Sequence, residues 1–292
     1  MGNNLVTVSL DEVEFQLQSE HDFEWLSKLG RVCKVFDQQD SGNISFGVER
    51  NSEKVFVKYA GAQTEHYSGI ADTAVASLKS AIHLYEELRH PTLIKLIDHF
   101  QVGSGYAAIF EWIEGESLHP HWAFPPPAKY THPDSPCYRF KQLPVETRLA
   151  SLERIFDFHL HVEASDYVAV DFYDGSLLYN FITNEMKICD IDYYQKKPLI
   201  NTMGKFYGSK RFMSPEEFIL GAPIDERTNV FTMGAMAFAL LGGELDRSLS
   251  KWDAGILLHE VAVRAVNEDR EFRFSSVAEF KEAWDHAIKY VD

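Results

Sequence analysis

Residues 167 to 180 read YVAVDFYDGSLLYN. Val168-Ala169-Val170 is an apolar triplet of strand composition, and Leu177-Leu178-Tyr179 is a second one. Asp174-Gly175 between them is the signature of a tight turn. The turn accounts for Asp174 and leaves Asp171 unexplained. That carboxylate ends one apolar run and is followed at once by two aromatic residues. In such surroundings it loses solvation and needs a partner, a metal or a proton. The stretch is expected to be a strand–loop–strand unit that carries a functional acid.

Upstream, the chain changes character twice. Residues 25 to 60 alternate strand-like runs with turns: Val32 to Phe36, Ile44 to Val48 and VFVKYA, separated by DQQDSGN and by Asn51-Ser52-Glu53. Val75, Leu78, Ile82, Tyr85 and Leu88 then recur at helical spacing, and Pro91 ends the helix. Leu93 to Phe100 and Tyr106 to Trp112 read as two more strands. The segment up to 112 is therefore expected to be a five-stranded antiparallel sheet with one helix. Residues 119 to 140 hold six of the 11 prolines. They are expected to be a surface loop or insertion, since proline is excluded from helix and strand interiors. His119, His121, His132 and Cys137 in it match no zinc spacing.

Downstream, helices dominate. Val145 to Val162 is a long amphipathic segment, and 256 to 267 and 276 to 289 are amphipathic as well. Val230 to Leu241 is apolar nearly all round, which places it at the centre of a helical unit. That run is far short of the roughly 20 residues that span a membrane. The chain carries 28 basic and 44 acidic residues, a net charge of −16. That balance disfavours nucleic acid and anionic membrane surfaces as main partners. Cys33, Cys137 and Cys189 are scattered and odd in number, as expected in a reducing compartment. With no signal peptide read at the start, the expected location is cytoplasmic.

Further motifs fall in a recognisable order. Lys58 stands in VFVK, Asp171 in AVDFYDGS, Asp190 in KICDID, and residues 208 to 217 read GSKRFMSPEE, with Arg273 in DREFRFSS beyond. Together these resemble the protein-kinase family over about residues 25 to 287, most of all its bacterial Ser/Thr-kinase-like members. The resemblance implies an α+β, two-lobed protein-kinase-like fold, with a β-rich lobe over 1–112 and a helical lobe over 113–292. It implies ATP and Mg²⁺ (or Mn²⁺) as cofactors. Lys58 would hold phosphate, Asp171 would orient and deprotonate an acceptor hydroxyl, and Asp190 would bind the metal. Glu111 and Ile113 fall in the hinge whose backbone groups would bind adenine. Ser209 takes the place of the hydroxyl residue that faces the catalytic aspartate. Ser214-Pro215-Glu216 matches the family's Ala-Pro-Glu, with Arg273 the expected ion-pair partner of Glu216.

The departures from the pattern cluster around the chemistry. Only Gly42 survives of the glycine-rich loop. Ala81 takes the position of the helix glutamate that pairs with the strand lysine. Ala169-Val170 replaces His-Arg, Tyr173 replaces a lysine, and Ser176 replaces the metal-binding asparagine. Asp174, two residues before Ser176, is expected to supply the lost metal oxygen. Asp192 replaces a glycine, and Asn229 replaces the aspartate that braces the catalytic loop. The leading expectation is an ATP- and Mg²⁺-dependent phosphotransferase acting on Ser/Thr of a protein. The alternatives are a pseudokinase that binds a partner protein without turnover, and a small-molecule kinase of aminoglycoside or choline type. GSKRFMSPEE speaks against the last.

Overall fold

A computed structural model describes residues 5 to 290. The protein is α+β, with antiparallel sheets and several helices, and its chain divides into two compact units. One runs up to Arg89 and takes in Ile94–Glu114; the other comprises His90–Leu93 and everything from Gly115 onward.

The first unit opens with a hairpin, β1 (Val6–Leu10) and β2 (Val13–Leu17). Three strands follow, β3 (Arg31–Phe36), β4 (Asn43–Arg50) and β5 (Glu53–Ala60), then helix α1 (Ala71–Glu87), then β6 (Leu96–Val102) and β7 (Gly105–Glu111). The five strands β3 to β7 form one antiparallel sheet in the order β3-β4-β5-β7-β6, as their alternating apolar pattern leads one to expect. Ile44, Phe46, Val48, Val57, Tyr59, Ala107 and Ile109 line one face of the sheet. They form a core with Phe15 and Leu17 of the hairpin, with Leu26 of a short 3-10 turn and with Phe23 just before it. The hairpin precedes the strand-like runs that begin near residue 25, and the sequence did not lead one to expect it. Helix α1 packs against β7 and β5 with Ala74, Leu78, Ala81, Ile82 and Tyr85 buried, the Tyr85 and Phe110 rings in a T-shaped contact with centroids 4.8 Å apart.

The second unit begins with β8 (Glu116–Ser117) and two short helices, α2 (Ala128–Thr131) and α3 (Pro136–Lys141). These lie within the proline-rich segment and correct the expectation of a bare loop. Pro127 immediately precedes α2 and Pro136 is the first residue of α3, positions where a missing N–H breaks no helical bond. The segment is not confined to the surface either, because Lys129 is fully buried. Helix α4 (Val145–Ala164) leads to β9 (Tyr167–Val168), β10 (Leu177–Asn180), β11 (Glu185–Ile188), β12 (Gln195–Lys196), β13 (Leu199–Ile200) and β14 (Pro223–Ile224). Helices α5 (Glu226–Leu241), α6 (Ile256–Ala265) and α7 (Val277–Ile288) complete it.

Helix α5 is buried from Thr228 to Leu241 and packs against α4, α6 and α7. It starts four residues earlier than its apolar run, because Asp225 caps it and forms a capping box with Thr228. Among the described residues no helix is long and apolar enough to cross a membrane.

Candidate functional site

Two antiparallel pairings build the site in the second unit. β9 pairs with β12, and β10 pairs with β11 with Leu177 opposite Ile188. The loop 169–176 and the segment 189–194 are the two connections between these pairings, so they run side by side. The Cys189 N–H donates to the Ser176 carbonyl at 2.9 Å, which sets Asp190 beside the 174–176 turn. Tyr173 registers this neighbourhood. Burial pushes its phenol well above its ordinary value, and the charges of Asp171, Asp190 and Asp174 push the same way. Tyr193 is raised too, by burial and then by Asp171, Asp192 and Asp190. The sequence-predicted acids Asp171 and Asp190 thus both act on Tyr173 and Tyr193.

Asp171 is half-buried and adopts a left-handed backbone, with φ of +61°. Aspartate reaches that region only at some cost, so neighbours must hold it there. Asn229 on α5 supplies part of the hold. Its Oδ1 accepts from the Ala169 N–H at 2.8 Å and its Nδ2 donates to the Tyr167 carbonyl at 3.1 Å. An asparagine here makes both bonds, one as acceptor and one as donor. From the other side, Phe172 packs on His159 of α4 with ring centroids 4.4 Å apart. The carbonyl of Ile155 can only accept, so His159 donates to it from Nδ1, and its Nε2 accepts from the Tyr194 hydroxyl at 2.9 Å. Burial keeps this histidine neutral, lowered to about 4. His159 lies within the amphipathic segment Val145 to Val162, but nothing in the sequence paired it with Tyr194.

The segment 208–217 passes beside Asp171. A Cβ added to Gly208 would lie 3.7 Å from the Asp171 Cα and 3.0 Å from the Met213 side chain, and Gly208 has a φ of +138°. A larger residue there would be strained and crowded. Ser209 follows, half-buried, its carbonyl accepting from the Phe212 N–H at 2.9 Å. The end of this segment is anchored by Glu216 and Arg273, which form a buried bidentate pair at 2.7 and 3.0 Å. Burial would raise Glu216, but the hydrogen bonds and charge of Arg273 outweigh it and hold the carboxyl below its usual range. The pair expected from residues 57 apart is present.

Asp174 departs from expectation. It is 3 % exposed, and both of its oxygens are engaged by cations. Oδ2 accepts from the buried ammonium of Lys129 and from Arg211 at 2.9 Å, and Oδ1 accepts from Arg211 at 2.8 Å. Arg211 also reaches Glu244 at 2.8 Å, and Lys129 lies 3.6 Å from the same carboxylate. Burial acts to raise Asp174, but Arg211 and the Lys129 charge outweigh it and hold the acid below its usual range. Two cations and two anions, drawn from four separate segments, therefore close on one another. An acid so engaged is not open to a metal. The cause is Lys129, which the proline-rich segment carries into the interior. Lys129 and Glu244 gave no signal in the sequence; Arg211 gave only its place in GSKRFMSPEE.

Ser176 behaves differently. Its hydroxyl is buried and has no hydrogen-bond partner among the described residues. Asp190 is exposed, and its Oδ1 accepts from the Asp192 N–H at 3.4 Å. Among the described residues no three His, Cys, Asp or Glu side chains converge to hold a metal on their own. Mg²⁺ asks for less, since one or two protein oxygens suffice when phosphate and water complete its shell. Asp190 and Ser176 supply oxygen donors of the kind that this limited set needs. Among the described residues the histidines of the 119–140 segment form no metal-binding group, although the His119 and His121 rings lie 5.5 Å apart between centroids, tilted by 48°.

In the first unit, Lys58 sits in the middle of β5, half-buried, opposite Ser45 on β4 and Ala108 on β7. Both neighbours are small. Phe56, two residues back on the same face, packs on Phe36 at 5.6 Å. Ala81 is buried on the sheet-facing side of α1, and Glu86 is exposed and lies 3.8 Å from His99. Gly42 is buried with φ of +79°, and a Cβ there would meet the Tyr67 ring at 2.7 Å. Its own chain therefore already requires a glycine at this position. Glu111 ends β7, its N–H donating to the Lys95 carbonyl at 3.0 Å, and Ile113 follows, half-buried. No protein-family model and no curated protein matches the chain.

Proposed function

We propose that the chain is a protein-kinase-like phosphotransferase, its first unit the nucleotide-binding lobe and its second the helical lobe of a two-lobed fold. The observation that carries this is the setting of Asp171. It sits in a loop braced by Asn229, in a left-handed conformation, with the Gly208 backbone beside it. Such a carboxylate is positioned to take a proton from a hydroxyl, and positioning is most of what phosphoryl transfer asks of a protein. Lys58 would contact phosphate, and backbone groups at Glu111 and Ile113 would contact the base of ATP. Asp190, with the Ser176 hydroxyl, would hold Mg²⁺ (or Mn²⁺), which when bound offsets the negative charge of the phosphates. The acceptor would be a Ser/Thr hydroxyl of a protein.

One observation favours a second reading, a pseudokinase that binds without transfer. Asp174 is consumed by Lys129 and Arg211, so the metal loses a carboxylate that could have offset the missing asparagine. A single set of measurements separates the two. ATP is titrated with and without Mg²⁺ while thermal stability is followed, and γ-labelled ATP is then offered with the protein itself and with casein. Phosphotransfer predicts Mg²⁺-dependent stabilisation and label incorporation. Asp190→Asn should abolish the Mg²⁺ dependence, and Asp171→Asn should abolish labelling while sparing nucleotide binding. Equal binding of ATP with and without metal, with no label, selects the pseudokinase.

A further inference from the structure

Between Asp192 and Glu216 the sequence has five basic residues and no acidic one, in a chain of net charge −16. Three of the five are engaged within the fold. Lys197 pairs with Glu226 and Asp166, Arg211 with Asp174 and Glu244, and Lys196 lies over the Tyr167 ring. Lys205 and Lys210 are exposed and form no ion pair with a described residue.

The same surface is apolar to an unusual degree. Ile200, Met203, Tyr207, Phe218, Ile219 and Leu220 are between 40 and 70 % exposed. They come from two stretches tied backbone to backbone. Asn201 N–H donates to the Ala222 carbonyl at 2.9 Å, Gly221 N–H to the Asn201 carbonyl at 2.7 Å, and Phe206 N–H to the Glu217 carbonyl at 2.8 Å. Asn201 is wholly buried and fastens the arrangement. Its amide donates to the carbonyls of Gly204 and Glu217, and its oxygen accepts from the Met203 and Gly204 N–H groups. A built scaffold thus presents apolar side chains outward, with the unneutralised Lys205 within one of its two stretches and Lys210 four residues beyond Phe206. Contiguous exposed apolar surface of this kind marks an interaction site.

We infer that this face docks a polypeptide segment of another protein in which acidic residues flank an apolar side chain. The lysines select for carboxylates, and the apolar patch supplies burial. A second copy of the chain is a poorer occupant, since a two-fold contact through this patch would set Lys205 and Lys210 against their own equivalents. An anionic bilayer is poorer too, because the remainder of this acidic chain would be repelled by it. The inference names the partner class for the proposed phosphotransferase and rests on that function only for the chemistry after docking.

Binding is measured by fluorescence anisotropy without nucleotide or metal, so its outcome is separate from that of the labelling assay. The probe is a fluorescein-labelled peptide with a central leucine flanked by glutamates. We expect saturable binding that weakens at high salt. It should weaken about ten-fold or more in Lys205→Glu/Lys210→Glu, and comparably in Ile219→Ser/Leu220→Ser, which alter exposed positions only. A peptide with lysines in place of the glutamates should not bind. Absent binding of the glutamate peptide, equal binding to parent and both variants, or equal binding of the lysine peptide would each overturn the inference. So would a dimer, detected by light scattering, that is lost in Lys205→Glu/Lys210→Glu.

Discussion

Lys129 is the residue that most changes the interpretation of the quoted stretch. A fully buried ammonium is tolerated only when its charge and hydrogen bonds are met, and Asp174 and Glu244 meet them. Lys129→Met would leave the pair of carboxylates facing Arg211 alone. We expect a loss of roughly 3–5 kcal/mol in chemical denaturation, because a buried charge is left uncompensated. Adding Asp174→Asn to Lys129→Met should recover part of that loss, and the double-mutant cycle measures how much. At this scale the sequence singled out Asp171, whose backbone is left-handed, and gave no sign of the cations that engage Asp174. A strand-ending acid before two aromatics signals a special environment whatever surrounds it. Whether a turn aspartate faces solvent or a buried lysine depends on a contact 45 residues away, which local pattern does not carry.

Among elements, the end of the 208–217 segment holds the clearest consequences. Arg273→Met should destabilise the second unit by roughly 3–5 kcal/mol, since Glu216 would remain buried without its partner. Its neighbour Glu217 caps the turn, accepting from the Ser214 N–H at 2.6 Å and hydroxyl at 2.9 Å. Burial nevertheless raises it from 4.5 to about 7. The folded state then binds a proton that the unfolded chain releases, so this contribution is present at low pH and is lost as pH rises through the raised value. Glu217→Gln stays neutral at every pH. The melting temperature of Glu217→Gln relative to the parent should therefore climb between about pH 5 and about pH 8. A constant difference over that range would show that Glu217 is not raised. The helices and the five-stranded sheet were legible as elements because their apolar periods are long. The short helices α2 and α3 were not, since proline density masks a one-turn helix that uses proline as its starting residue.

For the molecule as a whole, the β1–β2 hairpin covers the sheet face opposite α1. Deleting residues 1–19 should uncover Phe46, Tyr59 and Ile109, which would be read as increased binding of an apolar dye and loss of solubility. The α+β class and the antiparallel sheet followed from the order of strand-like and helix-like periods. The hairpin lay outside the span of the resemblance and so was missed. The quartet of Lys129, Asp174, Arg211 and Glu244 has a further consequence for how such a protein changes over generations. Each member is drawn from a different part of the chain, and their charges cancel only as a set. A lineage that loses one cation carries an excess of buried anion until a carboxylate is lost too. These four positions are therefore expected to drift in opposite-charge couples, and a descendant with an apolar residue at 129 should have lost an acid at 174 or 244.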